Sequence, residues 1–329
     1  MADNSSTVAE ALTKRGVSRR DFLKYCAMLG AVLALPSTEI EALARALAIA
    51  PRIPVIWLEF QDCTGDTESF LRAGAQPNPL VSGPSEPSIS QLILETLSVD
   101  YHETLMAPSG FMAEKSRRDA LESQAGQYLC VVEGSIPTGA GGAYCTIGGR
   151  SALDIVREVT SNARATIALG TCAWDGGLAG ALPNPTGATG VAGAVPGLRN
   201  LVNLPGCPAN VVNLVATIVY IIAYNRLPEL GDFGRPKFAY EKEIHERCER
   251  KRYYEAAQFV RAWGDEGHRK GWCLRRMGCR GPDTDHNCPT VRWIQGTNWP
   301  VGAGHGCVGC AEARFWDRMT PFYAADDDD

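Results

Sequence analysis

Seven side chains able to bind soft or borderline metals fall within 66 residues: His245, Cys248, Cys273, Cys279, Cys288, Cys307 and Cys310. Spacing this close, with a histidine among the thiols, reads as metal or cluster ligation more than as a disulfide framework. Helix and strand periodicity fades after Pro236. This part of the chain is therefore expected to fold around inorganic groups, not a sheet. Trp272, Trp293, Trp299 and Trp316 stand in the same stretch, where they would keep water away. Two tetrahedral zinc sites need eight ligands, so seven leave one site short. Iron–sulfur clusters accommodate the number, because one can take three cysteines with a histidine and a three-iron cluster takes three thiolates. A zinc-stapled domain is the alternative on spacing alone.

The preceding part reads differently. Apolar runs at Val55–Phe60, Tyr101–Met106, Tyr128–Glu133, Ala165–Leu169 and Leu201–Leu204 predict strands. Helical patterns at Ile89–Leu97, Met112–Gln124, Ala152–Ala163 and Ala209–Tyr224 fall between and after them. Such alternation predicts an α/β fold, a flavodoxin-like doubly wound parallel sheet over residues 51–235. A smaller, mostly irregular iron–sulfur cluster domain would follow over 236–323, then an acidic tail at 324–329. Cys63, Cys172 and Cys207 each follow a predicted strand, and strand ends on one edge of a parallel sheet converge. These three thiols can therefore share one site, with Asp66 as a fourth ligand; a solvated loop carboxylate is the alternative for Asp66. The Gly- and Pro-rich stretch from Gly176 to Gly206 is a long loop, and loops of that length in a compact domain tend to be functional.

Residues 1–50 carry Ser18-Arg19-Arg20-Asp21-Phe22-Leu23-Lys24, a twin-arginine-like leader motif. The apolar stretch Tyr25 to Pro36 and the small residues Ala46-Leu47-Ala48, a candidate cleavage site, follow it. Glu39, Glu41 and Arg45 favour the other reading, an amphipathic helix that stays with the protein. The chain is thus expected to be soluble or peripheral to a membrane and cytoplasmic with its leader retained; export by the twin-arginine route is the alternative. The net charge of −5 gives no support to nucleic-acid binding.

The ordered motifs between residues 52 and 323 resemble those of nickel–iron hydrogenase small subunits. They include Cys63-Thr-Gly, Glu133-Gly-Ser-Ile-Pro137, Gly170-Thr-Cys172-Ala, Pro183-Asn-Pro-Thr-Gly-Ala188 and Pro205-Gly-Cys207-Pro. Farther on stand His245-Glu-Arg-Cys248, Gly271-Trp-Cys273-Leu, Gly278-Cys279-Arg-Gly-Pro282, Cys288-Pro289, Cys307-Val-Gly-Cys310 and Phe315-Trp-Asp317. The resemblance implies three clusters that carry electrons from a nickel–iron site in a separate large subunit. It assigns Cys63, Asp66, Cys172 and Cys207 to a proximal 4Fe–4S cluster, and His245, Cys248, Cys273 and Cys279 to a distal 4Fe–4S cluster. Cys288, Cys307 and Cys310 fall to a medial 3Fe–4S cluster, with Pro300 where a fourth thiolate could sit. Trp299 and Glu133 would neighbour the cofactors, and no catalytic residue is expected in this chain. Cys26 and Cys130 are expected to be inert, and Cys145 has no assigned role.

One departure stands out. The family's usual second proximal ligand is a cysteine, and Asp66 takes its place, which resembles the actinobacterial-type, oxygen-insensitive group. Members with a modified proximal cluster carry two further cysteines, whose places here are Gly65 and Gly177. A hard carboxylate in place of a thiolate changes a cluster's potential, so oxygen tolerance is expected. The expected partners are the large subunit and an acceptor such as a cytochrome, a quinone-linked protein or a ferredoxin-like protein. A dimer of heterodimers is a further expected assembly. Basic residues around the distal ligands (Arg247, Arg250, Lys251, Arg252, Arg269, Lys270, Arg275, Arg276 and Arg280) would attract an acidic acceptor or offset cluster charge. Two other readings are carried: a relay subunit of a quinone-reducing respiratory complex, and a zinc-stapled structural protein.

Overall fold

The computed structural model describes residues 7–14, 16–72, 97–293 and 296–324. At its centre are five parallel strands: β1 (Ile53–Glu59), β2 (Leu97–His102), β3 (Leu129–Glu133), β4 (Ala165–Leu169) and β5 (Leu201–Leu204). They lie in the order β2-β1-β3-β4-β5, the flavodoxin-like doubly wound arrangement. Its strand order reverses between β1 and β3, and the crevice beyond the strand ends at such a point is where these folds hold ligands. β1, β3 and β4 are buried along their whole length, which is why they read in the sequence as continuous apolar runs.

Side chains along β1 alternate between the two faces of the sheet. Ile56 and Leu58 pack with Ile155, Val156 and Val159 of α6 (Ala152–Ser161). Val55 and Trp57 face the other layer, which holds α4 (Gly65–Arg72) and α8 (Val211–Tyr224). The second strand departs from expectation. It ends at His102, where Tyr101–Met106 was predicted, because Glu103 and Thr104 leave the ladder to bond Glu59: the Glu59 N–H donates to Glu103 at 2.8 Å, and the Thr104 N–H donates to the Glu59 carboxylate at 2.8 Å. The helix over Met112–Gln124 forms as α5 (Phe111–Ser123). That over Ile89–Leu97 lies outside the described residues, apart from Leu97, which opens β2.

The N-terminal region forms three helices, α1 (Val8–Lys14), α2 (Arg19–Val32) and α3 (Ser37–Ile49). Ser18 caps α2 by accepting the Asp21 N–H at 3.2 Å, so the twin-arginine motif is a helix start with both arginines exposed. Leu29, Leu43 and Leu47 are at most 1% exposed and pack with Leu214, Ile218 and Ile221 of α8 in one apolar cluster. Ala46-Leu47-Ala48 therefore lies inside a packed helix. Among the described residues, no helix is long and apolar enough to cross a membrane.

After Pro236 the described residues make turns, isolated β-bridges and helices of three to five residues, such as Lys251–Glu255 and Glu266–Lys270. A small core of Ile244, Val260, Leu274, Met277, Trp299 and Val301 holds this domain, with Cys279 and Cys307 in it. Asn213, a polar residue in an apolar helix, joins the two domains. Its amide exchanges hydrogen bonds with that of Asn287 at 3.0 and 2.9 Å, next to Cys288. Neither amide is left unpaired, so the pair fixes α8 against the cluster domain.

Candidate metal centres

The first centre sits at the crevice. β1 delivers the chain to Cys63, and an Asx turn, in which the Thr64 N–H donates to Asp62 at 2.8 Å, starts α4. β4 runs straight into α7 (Gly170–Asp175), which carries Cys172; β5 delivers Cys207. The cysteines and Asp66 come from three separate strand ends, as the alternation predicted. A Cβ on Gly65 would stand 3.0 Å from the Cys63 sulfur, and one on Gly177 would press on the Cys172 sulfur. Both glycines therefore border this site.

Asp66 is buried, and its Oδ1 accepts the Ala209 N–H at 2.5 Å. The other oxygen lies against Gly170, whose φ of +79° and lack of a Cβ make room for it. Burial, reinforced by the nearby Glu133 carboxylate, pushes the Asp66 carboxyl up to about 8. Burial likewise raises the Cys172 thiol to about 11 and the Cys207 thiol to about 12. A bound cation would offset each of these shifts by favouring the deprotonated ligand.

Glu133 has a role that the sequence did not reveal. From the end of β3 it accepts the Asp66 N–H at 3.0 Å, the Thr67 N–H at 3.1 Å, the Thr67 hydroxyl at 2.6 Å and the Trp57 indole N–H at 3.1 Å. Its carboxylate thereby ties down the first turn of α4, where unmet N–H groups and the helix dipole favour an anion. Behind it, Glu59 lies 3.2 Å from the His102 ring, and Thr67 lies 3.2 Å from its other nitrogen. These contacts span up to 67 positions, so spacing alone could not reveal them.

The second centre is a cavity of about 500 Å³ whose lining includes Cys288, Cys307, Cys310, Pro300 and Trp299. A single ion would leave most of that volume unfilled; a multi-iron cluster suits it. Two buried N–H-bearing rings on its wall, His286 and Trp299, have nitrogens without a protein partner. A sulfide-rich group would accept hydrogen bonds there, so the donor set and its surroundings fit an iron–sulfur cluster. Burial holds the Cys288, Cys307 and Cys310 thiols above their ordinary range.

The third centre is narrower and is lined by His245, Cys248, Cys273 and Cys279. Burial, then the charge of Lys251, lowers the His245 pKa, which keeps the imidazole neutral as a metal ligand requires. Arg250 and Arg275 also line this space. Arg250 donates to the Trp272 carbonyl at 2.8 Å, and Arg275 pairs with Asp283 at 3.1 Å. These two members of the basic stretch are built into the site, whereas Arg247, Arg252 and Arg276 are exposed.

Backbone amides connect the centres. Thr171, next to Cys172, bridges the Cys310 carbonyl at 2.5 Å and the Gly206 N–H at 2.9 Å. On the other side the Cys307 N–H donates to the Cys279 sulfur at 3.3 Å. Cys26 and Cys130 are fully buried, with thiols raised by burial. Cys145 is half-buried beside Glu103 and Asp62, which with burial raise its thiol pKa.

Residues 240–323 match the family model for the C-terminal part of the NiFe/NiFeSe hydrogenase small subunit, and residues 63–221 match "NADH ubiquinone oxidoreductase, 20 Kd subunit". The second match covers the domain that a quinone-reducing complex would share; the first covers the domain that sets hydrogenases apart. The periplasmic NiFe hydrogenase small subunit 1 of Nitratidesulfovibrio vulgaris is 43% identical over 315 residues, 95% of each chain. The quinone-reactive Ni/Fe-hydrogenase small chain of Wolinella succinogenes is 41% identical over 313 residues, 94% of this chain and 85% of that one. Among solved structures, the Ni-Fe-Se hydrogenase of Desulfomicrobium baculatum superposes with a TM-score of 0.74 at 32% identity, covering 84% of this chain and all of that one (100%). The actinobacterial-type NiFe-hydrogenase of Ralstonia eutropha H16 gives 0.71 at 25% identity, with 84% and 83% covered. The zinc-stapled structural protein is set aside, and the chain belongs to the NiFe hydrogenase small-subunit family, the electron-transfer partner of a catalytic large subunit.

Proposed function

We propose that this subunit holds three iron–sulfur clusters in a line, proximal, medial and distal, between the partner's nickel–iron site and an external acceptor. The observations that support the order are two ties: the Thr171 hydroxyl, next to Cys172, donates to the Cys310 carbonyl at 2.5 Å, and the Cys307 N–H donates to the Cys279 sulfur at 3.3 Å. The set Cys288, Cys307 and Cys310 is thereby tied to both of the others. When bound, such clusters supply one-electron redox centres, and N–H groups aimed at their sulfurs raise their potentials. Glu133 and Ala209 hold Asp66 in the proximal set. Trp293 and Trp299 wall the medial cavity, and Arg250 and Arg275 offset charge at the distal one.

Asp66 as a proximal ligand, in place of a thiolate, underlies oxygen tolerance in this reading. The leader stays with the folded subunit, since its helices bury core residues, and the enzyme remains cytoplasmic. The acceptor is an acidic protein drawn to the exposed Arg247 and Arg252, so added salt slows its reduction.

Replacing His245 by Ala in the two-subunit enzyme tests the relay. We expect hydrogen-driven acceptor reduction to fall by roughly 10- to 100-fold, the scale seen when a metal site loses a supporting group. Exchange of hydrogen isotopes without acceptor, a reaction of the partner's metal site, is expected to continue at the wild-type rate. Equal loss of both would contradict a purely conducting role.

A further inference from the structure

Two aromatic nitrogens on the wall of the medial cavity have no partner among the described residues. His286 is 4% exposed and its Nδ1 makes no hydrogen bond; Trp299 is 3% exposed and its Nε1 makes none. Both residues line the cavity shared by Cys288, Cys307 and Cys310. A third ring, Trp293, already bonds the Cys288 thiol from its side chain. A buried polar nitrogen left unmet is unfavourable. The Trp299 indole N–H can only donate, so an occupant that meets it must accept; His286 Nδ1 joins it when it carries the ring proton.

The His286 ring is held in place. Tyr240 packs edge-on against it, with centroids 5.0 Å apart and ring planes at 90°. The Tyr240 hydroxyl is anchored to the Pro205 carbonyl at 2.8 Å, and Arg235 lies over the Tyr240 ring at 5.7 Å. Arg235 is itself fixed by ion pairs to Asp285 at 3.1 Å and Glu312 at 3.0 Å. The ring therefore cannot swing away to find another partner.

We propose that His286, in the tautomer protonated at Nδ1, and Trp299 donate hydrogen bonds to sulfides of the medial cluster and so raise its potential. The proposal rests on the three-cluster reading above. Donors aimed at cluster sulfur stabilise the reduced, more negative form, which is the direction of the effect. Both are positioning residues, since neither binds iron.

The test is an EPR-monitored redox titration of the medial cluster in the intact two-subunit enzyme, comparing wild type with His286→Leu and Trp299→Phe. With iron and sulfide content unchanged, each variant is expected to titrate at a more negative potential. At the wild-type midpoint the ratio of oxidised to reduced cluster would rise about tenfold, which is 59 mV for a one-electron couple. His286→Asn, whose amide N–H stands where Nδ1 does, is expected to recover part of that shift. Unmoved midpoints in both variants overturn the proposal. If the variants lose the cluster, the wild type decides by pulsed EPR in D2O with ¹⁵N-histidine. Exchangeable protons and a weak histidine nitrogen coupling at the cluster support the proposal. No such protons, or a nitrogen coupling of direct-ligand strength, overturns it. If the wild type shows no medial signal at all, the three-cluster reading falls, and this inference with it.

Discussion

Asp66 is fixed by the protein before any metal is considered. Its own N–H is held by Glu133, its Oδ1 takes the Ala209 N–H, and its other oxygen occupies room that only a glycine at 170 allows. A cysteine there would lack the second oxygen and leave the Ala209 N–H unmet. We predict that Asp66→Cys still oxidises hydrogen under nitrogen but loses activity under air by roughly tenfold or more, the scale of changes around metal ligands. Equal activity of variant and wild type under air would contradict the role given to the carboxylate. The sequence made the candidate ligands legible because their spacing is local: Cys307 and Cys310, or His245 and Cys248, stand out by it. It could not show the supports. Glu133 meets Asp66 across 67 positions, and nothing beside His286 in the chain points to Tyr240 or to the cavity.

At the scale of elements, strands buried on both faces were the easiest to read; β4 and β5 match the predicted ranges, Ala165–Leu169 and Leu201–Leu204. β2 shifted because Glu103 and Thr104 bond to Glu59 in place of the ladder. The three N-terminal helices were legible only as a leader with one helical tendency. Their burial depends on α8, more than 150 positions away, and short helices gain most of their stability from such packing. Leu43, fully buried in α3, measures that dependence. Leu43→Ala is predicted to destabilise the subunit by about 2–5 kcal/mol, seen as a lower thermal midpoint of the purified enzyme. The intact mass of the wild-type subunit is predicted to include residues 8–50. A mature chain starting near Ile49, or a Leu43→Ala variant as stable as wild type, would contradict a retained structural layer.

At the scale of the whole molecule, the sheet and the irregular domain do different work. The sheet brings three strand ends to one crevice; the C-terminal part is built of turns and short helices around a small apolar core that includes Cys279 and Cys307. Asn213 with Asn287, and Thr171 with Cys310, hold the two parts in register so that the ligand sets adjoin. Arg250 and Arg275 line the third centre, while Arg247, Arg252 and Arg276, close to its residues in sequence, are exposed. The central claim is the line of three clusters, and iron and acid-labile sulfide in the purified two-subunit enzyme test it most directly. After subtraction of the iron held by the partner, two 4Fe–4S clusters and one 3Fe–4S cluster predict about eleven irons and about twelve sulfides per subunit. About eight of each, or zinc in place of iron at the C-terminal ligands, would contradict it.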